Sequence, residues 1–104
     1  MRIPRSLGWL VLGVAIATPT LAVAQNDTPD CVTVDAMPRW GASGYDHWVR
    51  IRNGCEHAVR CSVRTNVNPD ATQVTVAAGA TEEVLTWRGS PARTFTPRVS
   101  CAER

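Results

Sequence analysis

The residues able to perform acid–base or nucleophilic chemistry are few, and their spacing does not bring them together. His47 and His57 are the only histidines, with Asp46 beside the first and Ser43 four positions before it. In a β-strand, neighbouring side chains point to opposite faces, so Asp46 does not orient the imidazole of His47. Ser43 and Gly44 do not complete the G-x-S-x-G nucleophile elbow. We therefore expect a protein that is not an enzyme, with a triad completed by a distant acid as the third hypothesis.

One pair of adjacent carboxylates, Glu82 and Glu83, also invites an acid–base interpretation. Glycoside hydrolysis needs two carboxyl groups that face each other across a substrate bond. Adjacent residues of a strand diverge instead, so solvation or pairing with arginine is the better interpretation. We expect no catalytic residue, no cofactor and no resident metal.

Four cysteines, Cys31, Cys55, Cys61 and Cys101, form an even set in a short chain. This count predicts two disulfides. Because Cys55 and Cys61 flank a local turn and the other two lie near the ends of the domain, the favoured pairing is Cys55–Cys61 with Cys31–Cys101. Cys61 lies on the core face of its strand, so Cys61–Cys101 with Cys31–Cys55 stays open. The spacing of Cys55 and Cys61 does not fit a zinc knuckle.

The first 24 residues are typical of a cleavable signal peptide. Arg2 and Arg5 precede the apolar run 7–17, and Ala22-Val23-Ala24 supplies an A-x-A cleavage site. The apolar run is shorter than the ~20 residues of a transmembrane helix. No second apolar run follows, so we expect no membrane span in the mature chain and a secreted or periplasmic location.

Charge argues against a nucleic-acid partner. The whole chain has a formal net charge of +2 with eleven basic residues, all arginine, and nine acidic ones. Two arginines lie in residues 1–24 and every acidic residue lies beyond them, so residues 25–104 carry nine of each sign. Nucleic-acid binding draws its affinity from unbalanced positive charge, which this part lacks.

Period-two alternation predicts six strands, at residues 31–36, 45–53, 58–67, 73–77, 81–87 and 94–101. Strands two and three are expected to form a hairpin through the turn dipeptide Asn53-Gly54. Segments 37–44 and 88–93 are predicted loops, and Pro97 indicates an edge strand. The pattern predicts an all-β, disulfide-stapled β-sandwich of immunoglobulin or fibronectin size at 31–104, after a flexible lead-in at 25–30.

One face of the predicted hairpin concentrates arginine and tryptophan. It comprises Trp48, Arg50, Arg52, Arg60 and Arg64. Tryptophan and arginine are enriched at binding hot spots, so this face predicts docking of an anionic or extended macromolecule. A structural role is the alternative, with the arginines satisfied by acids of neighbouring strands. We expect an exported, non-enzymatic β module, structural or macromolecule-binding, or else a small inhibitor of a secreted enzyme that uses the 88–93 loop.

Overall fold

The structure is a computed structural model that describes residues 26–104, so the predicted signal peptide lies outside the described residues. Within this range no helix is long and apolar enough to span a membrane. The described residues form six β-strands: β1 Val32–Gly41, β2 Gly44–Asn53, β3 Val59–Thr65, β4 Thr72–Val76, β5 Thr81–Ser90 and β6 Pro97–Glu103.

The strands form two antiparallel sheets of three. Sheet I has the order β1-β2-β5, and sheet II has the order β4-β3-β6. The alternation in the sequence matches the core, because every second residue of the central strands is buried. These buried residues include Val49 and Ile51 on β2 and Val59, Cys61 and Val63 on β3. The predicted all-β fold is confirmed.

The predicted loop at 37–44 is wrong, because β1 continues through it. β1 pairs with β2 up to the Gly41–Gly44 pair, and Ala42 and Ser43 alone make the turn. Pro38 fits this strand because β1 is an edge strand of its sheet, where a missing N–H costs no ladder bond. Gly44 has a φ of 139°, and a Cβ there would lie 2.7 Å from a backbone oxygen of β5.

The predicted hairpin between strands two and three is also wrong, since β2 and β3 belong to different sheets. At Asn53 the chain crosses over, and the buried Asn53 side chain joins the sheets. Its Nδ2 donates to the carbonyls of His57 and Val76 at 2.9 and 3.0 Å, and its Oδ1 accepts from the Cys55 N–H at 2.8 Å. A Cβ on Gly54 would lie 2.9 Å from a backbone oxygen, which favours glycine at the crossover.

Two disulfides are present, and their pairing corrects the favoured prediction. They join Cys31 to Cys55 and Cys61 to Cys101. The cause is the strand register: Cys61 on β3 lies directly opposite Cys101 on β6, so their side chains meet within sheet II. Cys55 follows β2 in the other sheet and reaches the residue that precedes β1. The alternative left open by the sequence is the pairing that forms.

The ends of the fold differ from the prediction: β6 is Pro97–Glu103 rather than 94–101, and two further segments differ. The segment 88–90, predicted as loop, is the last part of β5. The lead-in lies along β6, where Asp27 forms a bridge with Ser100 and its N–H donates to the Val99 carbonyl at 2.8 Å. Pro97 opens β6, which is an edge strand as predicted.

Candidate functional site

The five residues of the predicted docking face lie on two different surfaces. Trp48, Arg50 and Arg52 point outward from β2 on sheet I, since the residues between them are buried. Arg60 and Arg64 point outward from β3 on sheet II for the same reason. Because the sheets pack through their inner faces, these two outer faces lie on opposite sides of the sandwich.

On sheet I, one carboxylate forms ion pairs with two arginines. Glu83 of β5 accepts a hydrogen bond from Arg39 Nη2 at 2.8 Å and another from Arg50 Nε at 3.2 Å. The Arg39 guanidinium also lies over the Trp48 ring, 5.1 Å from its centroid. The hydrogen bond from Arg39, with a smaller contribution from Arg50, holds the pKa of Glu83 below its ordinary value. These contacts fit the structural alternative for this face.

Apolar residues of the same face lie opposite one another on the three strands. Met37, Trp48 and Leu85 form one row across β1, β2 and β5, and each is half-buried. Beyond a register shift in β5, Trp87 is 43% exposed. The row is therefore partly covered by its own sheet, because cross-strand neighbours shield one another.

Sheet II presents a different outer face. Arg60 and Arg64 of β3 are joined there by Arg98 of β6, and all three are exposed. Neutral polar residues of β4, Gln73 and Thr75, lie beside them in register. Among residues 26–104, no carboxylate oxygen lies within 4.0 Å of any of these three guanidinium groups. This arginine face, defined as the outer face of sheet II, thus carries positive charge without an ion pair.

The arginine face contains a groove. Arg64 lies directly opposite Arg98, and Ser62 lies directly opposite Ser100 in the next row. These four residues, with Pro69 from the β3–β4 connection, line a groove of about 250 Å³. Like charges directly opposite each other on a sheet destabilise it, so the sequence keeps this pair at a cost.

One acidic residue lies near the groove without pairing to it. The parallel bridge between Asp27 and Ser100 brings Asp27 alongside β6. Asp27 is exposed, and within the described part of the chain its carboxylate makes no ion pair with Arg98. It lies outside the groove lining.

His47 lies within β2, whereas His57 lies beyond the end of that strand. His47 is fully buried, stacks on Phe95 with ring centroids 4.1 Å apart, and donates from Nε2 to the Ala92 carbonyl at 2.7 Å. Its buried Nδ1 has no hydrogen-bond partner within residues 26–104. His57 is exposed beyond Asn53, where its carbonyl accepts the Asn53 bond. The histidines therefore do not share a site.

The segment 88–93 is held by hydrogen bonds. Asp46 Oδ1 accepts from the Gly89 N–H at 3.0 Å, and Ser90 Oγ accepts from the Ala92 N–H at 3.0 Å. Neither disulfide of the described chain braces it, since both link other parts of the fold. The geometry thus lacks the disulfide-braced loop that the inhibitor hypothesis anticipates.

One grouping of metal-ligand residue types occurs in the described range. Cys31, Cys55 and Glu103 place their ligand atoms within 4.8 Å of one another. Both sulfurs belong to a disulfide, so neither is a thiolate able to bind a metal.

Sequence reasoning missed Arg98 as a member of the candidate site. The alternation of 94–101 already places Arg98 outward with Ser100. The missing information is which strand lies beside β3, and that depends on the tertiary arrangement rather than on any local signal.

Comparison with known proteins returned no matching family model, no matching curated protein and no matching solved structure.

Proposed function

We propose that this chain is an exported, non-enzymatic binding module that docks a polyanionic partner on its arginine face. The observation that carries the proposal is the set of three exposed arginines, Arg60, Arg64 and Arg98, which share one face and have no ion pair within residues 26–104. Since residues 25–104 carry equal numbers of positive and negative groups, this is a local concentration of charge rather than a general one.

Arginine is suited to oxyanion partners. Its planar guanidinium offers several N–H donors in a fixed arrangement that matches carboxylate and phosphate oxygens, and it is always charged. The serine, threonine and glutamine side chains between the arginines add neutral donors. A face of this composition attracts anions and repels cations, which favours association with a partner of the opposite sign.

Contrast with sheet I supports the choice of face. There, Arg39 and Arg50 already share Glu83, so a partner that bound them would first have to displace an internal carboxylate. On the arginine face no such displacement is needed.

Export and the absence of catalysis rest on separate observations. Two disulfides indicate an oxidising environment. The proposed secreted or periplasmic location rests on this indication. About 20 Å of strand separates His47 from Asn53, and His57 follows Asn53 in the chain, which supports a role without general acid–base catalysis.

Chromatography on immobilised polyphosphate tests the proposal. We expect the disulfide-bonded protein to be retained at low ionic strength and released by salt, because exposed charges are screened. Arg60→Ser, Arg64→Ser and Arg98→Ser should each elute at lower salt. Arg52→Ser is the matched control, since it removes the same charge from the outer face of sheet I.

The control distinguishes retention through the arginine face from retention through the net charge of the protein. If Arg52→Ser lowers the eluting salt concentration as much as the other three, retention reflects overall charge and the proposal is wrong. Failure of the wild-type protein to be retained would also refute it.

A further inference from the structure

Resting on the proposed function, we infer that the groove between Arg64 and Arg98 is a binding site for a phosphate monoester group. The groove lies where β3 and β6 place two guanidinium groups opposite each other, next to a row of two serine hydroxyls. Positive charge and a concave surface coincide in this groove.

The donors of the groove match a tetrahedral oxyanion. Arg64 and Arg98 approach from adjacent strands, whose directly opposed Cβ atoms lie about 4.5–5.5 Å apart. Ser62 and Ser100 supply hydroxyl donors from the neighbouring row. Phosphate oxygens point in four directions, so they accept bonds from both guanidinium groups and from a hydroxyl at once.

The charge of the groove selects phosphate over carboxylate. Two guanidinium groups are balanced by a phosphate monoester, which carries about −1.5 to −2 at neutral pH. A carboxylate balances one guanidinium and leaves the other repelled by its neighbour. The groove of about 250 Å³ also exceeds the ~10–15 Å³ of cavity that one water molecule needs, which leaves room for the group that carries the phosphate.

The neighbouring carboxylate of Asp27 should weaken the binding of an anion in the groove. Asp27 lies beside Ser100 at the edge of this face, and its negative charge opposes an incoming anion. Replacement of Asp27 by Asn removes that repulsion and keeps a side chain of similar shape. Tighter binding in Asp27→Asn therefore follows from the same assignment.

Titration of the disulfide-bonded protein with glycerol 3-phosphate at constant ionic strength tests the inference, with acetate as the comparison anion. NMR chemical shifts report both the affinity and the residues affected. We expect saturable binding, with shifts at residues 62–64 and 98–100, and weaker binding of acetate by about tenfold or more.

Three variants separate the groove from the rest of the face. Arg64→Ser and Arg98→Ser should each weaken glycerol 3-phosphate binding by about tenfold or more, since each removes a charged hydrogen-bond donor. Arg60→Ser is the matched control on the same strand, because Arg60 lies opposite Ala102 and outside the groove lining, and it should change the affinity by less than about threefold. Thermal unfolding checks that each variant folds; loss of one of two opposed arginines leaves the fold as stable or more stable.

Two sources of the phosphate are distinguished by a vesicle arm. Flotation with phosphatidylcholine vesicles containing phosphatidic acid measures binding to a lipid headgroup, while the titration measures a soluble ester. Binding in either arm that requires both Arg64 and Arg98 supports the inference and identifies the source. Absence of saturable binding in both arms overturns it.

The two proposals fail in different ways. Retention on polyphosphate without a saturable glycerol 3-phosphate site, and with equal effects of Arg60 and Arg64, overturns the groove and leaves the arginine face. Saturable glycerol 3-phosphate binding without polyphosphate retention overturns the polyanion partner and leaves the groove.

Discussion

Replacing both Cys61 and Cys101 by alanine removes the covalent link between β3 and β6, and its cost follows from the chain segment that the bond closes. The two residues are separated by 40 positions, and the chain-entropy relation gives about 4 kcal/mol for a loop of this length. Because Cys61 is fully buried, the lost sulfur also leaves unfilled space in the core and adds to the cost. Domains have a free energy of unfolding of about 5–15 kcal/mol, so this variant loses a large share of it.

Urea unfolding followed by tryptophan fluorescence measures the loss, with the free energy extrapolated to zero denaturant. The matched variant replaces Cys31 and Cys55, which close 24 positions and should cost about 3.5 kcal/mol. Peptide mapping without reduction first establishes which pairs are joined. A loss below about 1 kcal/mol for the Cys61 and Cys101 variant would refute the reasoning, since neither the crosslink nor the buried sulfur would then matter.

Three further predictions concern the fold that carries the arginine face. Glu83→Gln should make the thermal midpoint less sensitive to acid. The pKa of Glu83 is held below its ordinary value of 4.5, so the stabilising contribution of its carboxylate is present above pH 4.5 and is lost as the pH falls through the lowered pKa. A series of thermal melts from pH 7 to 2 measures this difference. Asn53→Ala should cost about 3 kcal/mol in urea unfolding, because it leaves buried backbone groups at the crossover without partners. His47→Phe should cost about 1 kcal/mol, since it keeps the stack on Phe95 and loses the bond to Ala92, whereas His47→Ala should cost about 3 kcal/mol through the cavity; equal losses would contradict this.

Alternation predicted the inner and outer faces of the central strands because burial on one side of a sheet imposes a period of two. The buried positions of β2 and β3, which include Val49, Ile51, Cys61 and Val63, follow this period. Proline and glycine were weaker indicators of where strands end. Pro38 indicated a loop, yet a proline is also compatible with an edge strand, and nothing near it in the sequence distinguishes the two.

The partners of each strand were beyond the reach of local signals. Asn53-Gly54 predicted a hairpin, but the same residues serve a crossover in which the Asn53 side chain bonds to the other sheet. The pairing of Cys61 with Cys101 depends on β6 lying beside β3, a contact between distant parts of the chain. The prediction that β2 and β3 share one face failed for this reason, and the predicted docking face divided with it.

The strand beside each central strand, β5 in sheet I and β6 in sheet II, determines whether an outward arginine has a partner within the protein. Arg50 and Arg64 both point outward from a central strand, and in the sequence each lies between two β-branched residues that are buried. β5 brings Glu83 opposite Arg50, whereas β6 brings Arg98 opposite Arg64. A carboxylate opposite a guanidinium stabilises the sheet by itself, while a second guanidinium stabilises it only when an anion from outside lies between them. Arg50 therefore stabilises the fold, whereas Arg64 is available to a partner.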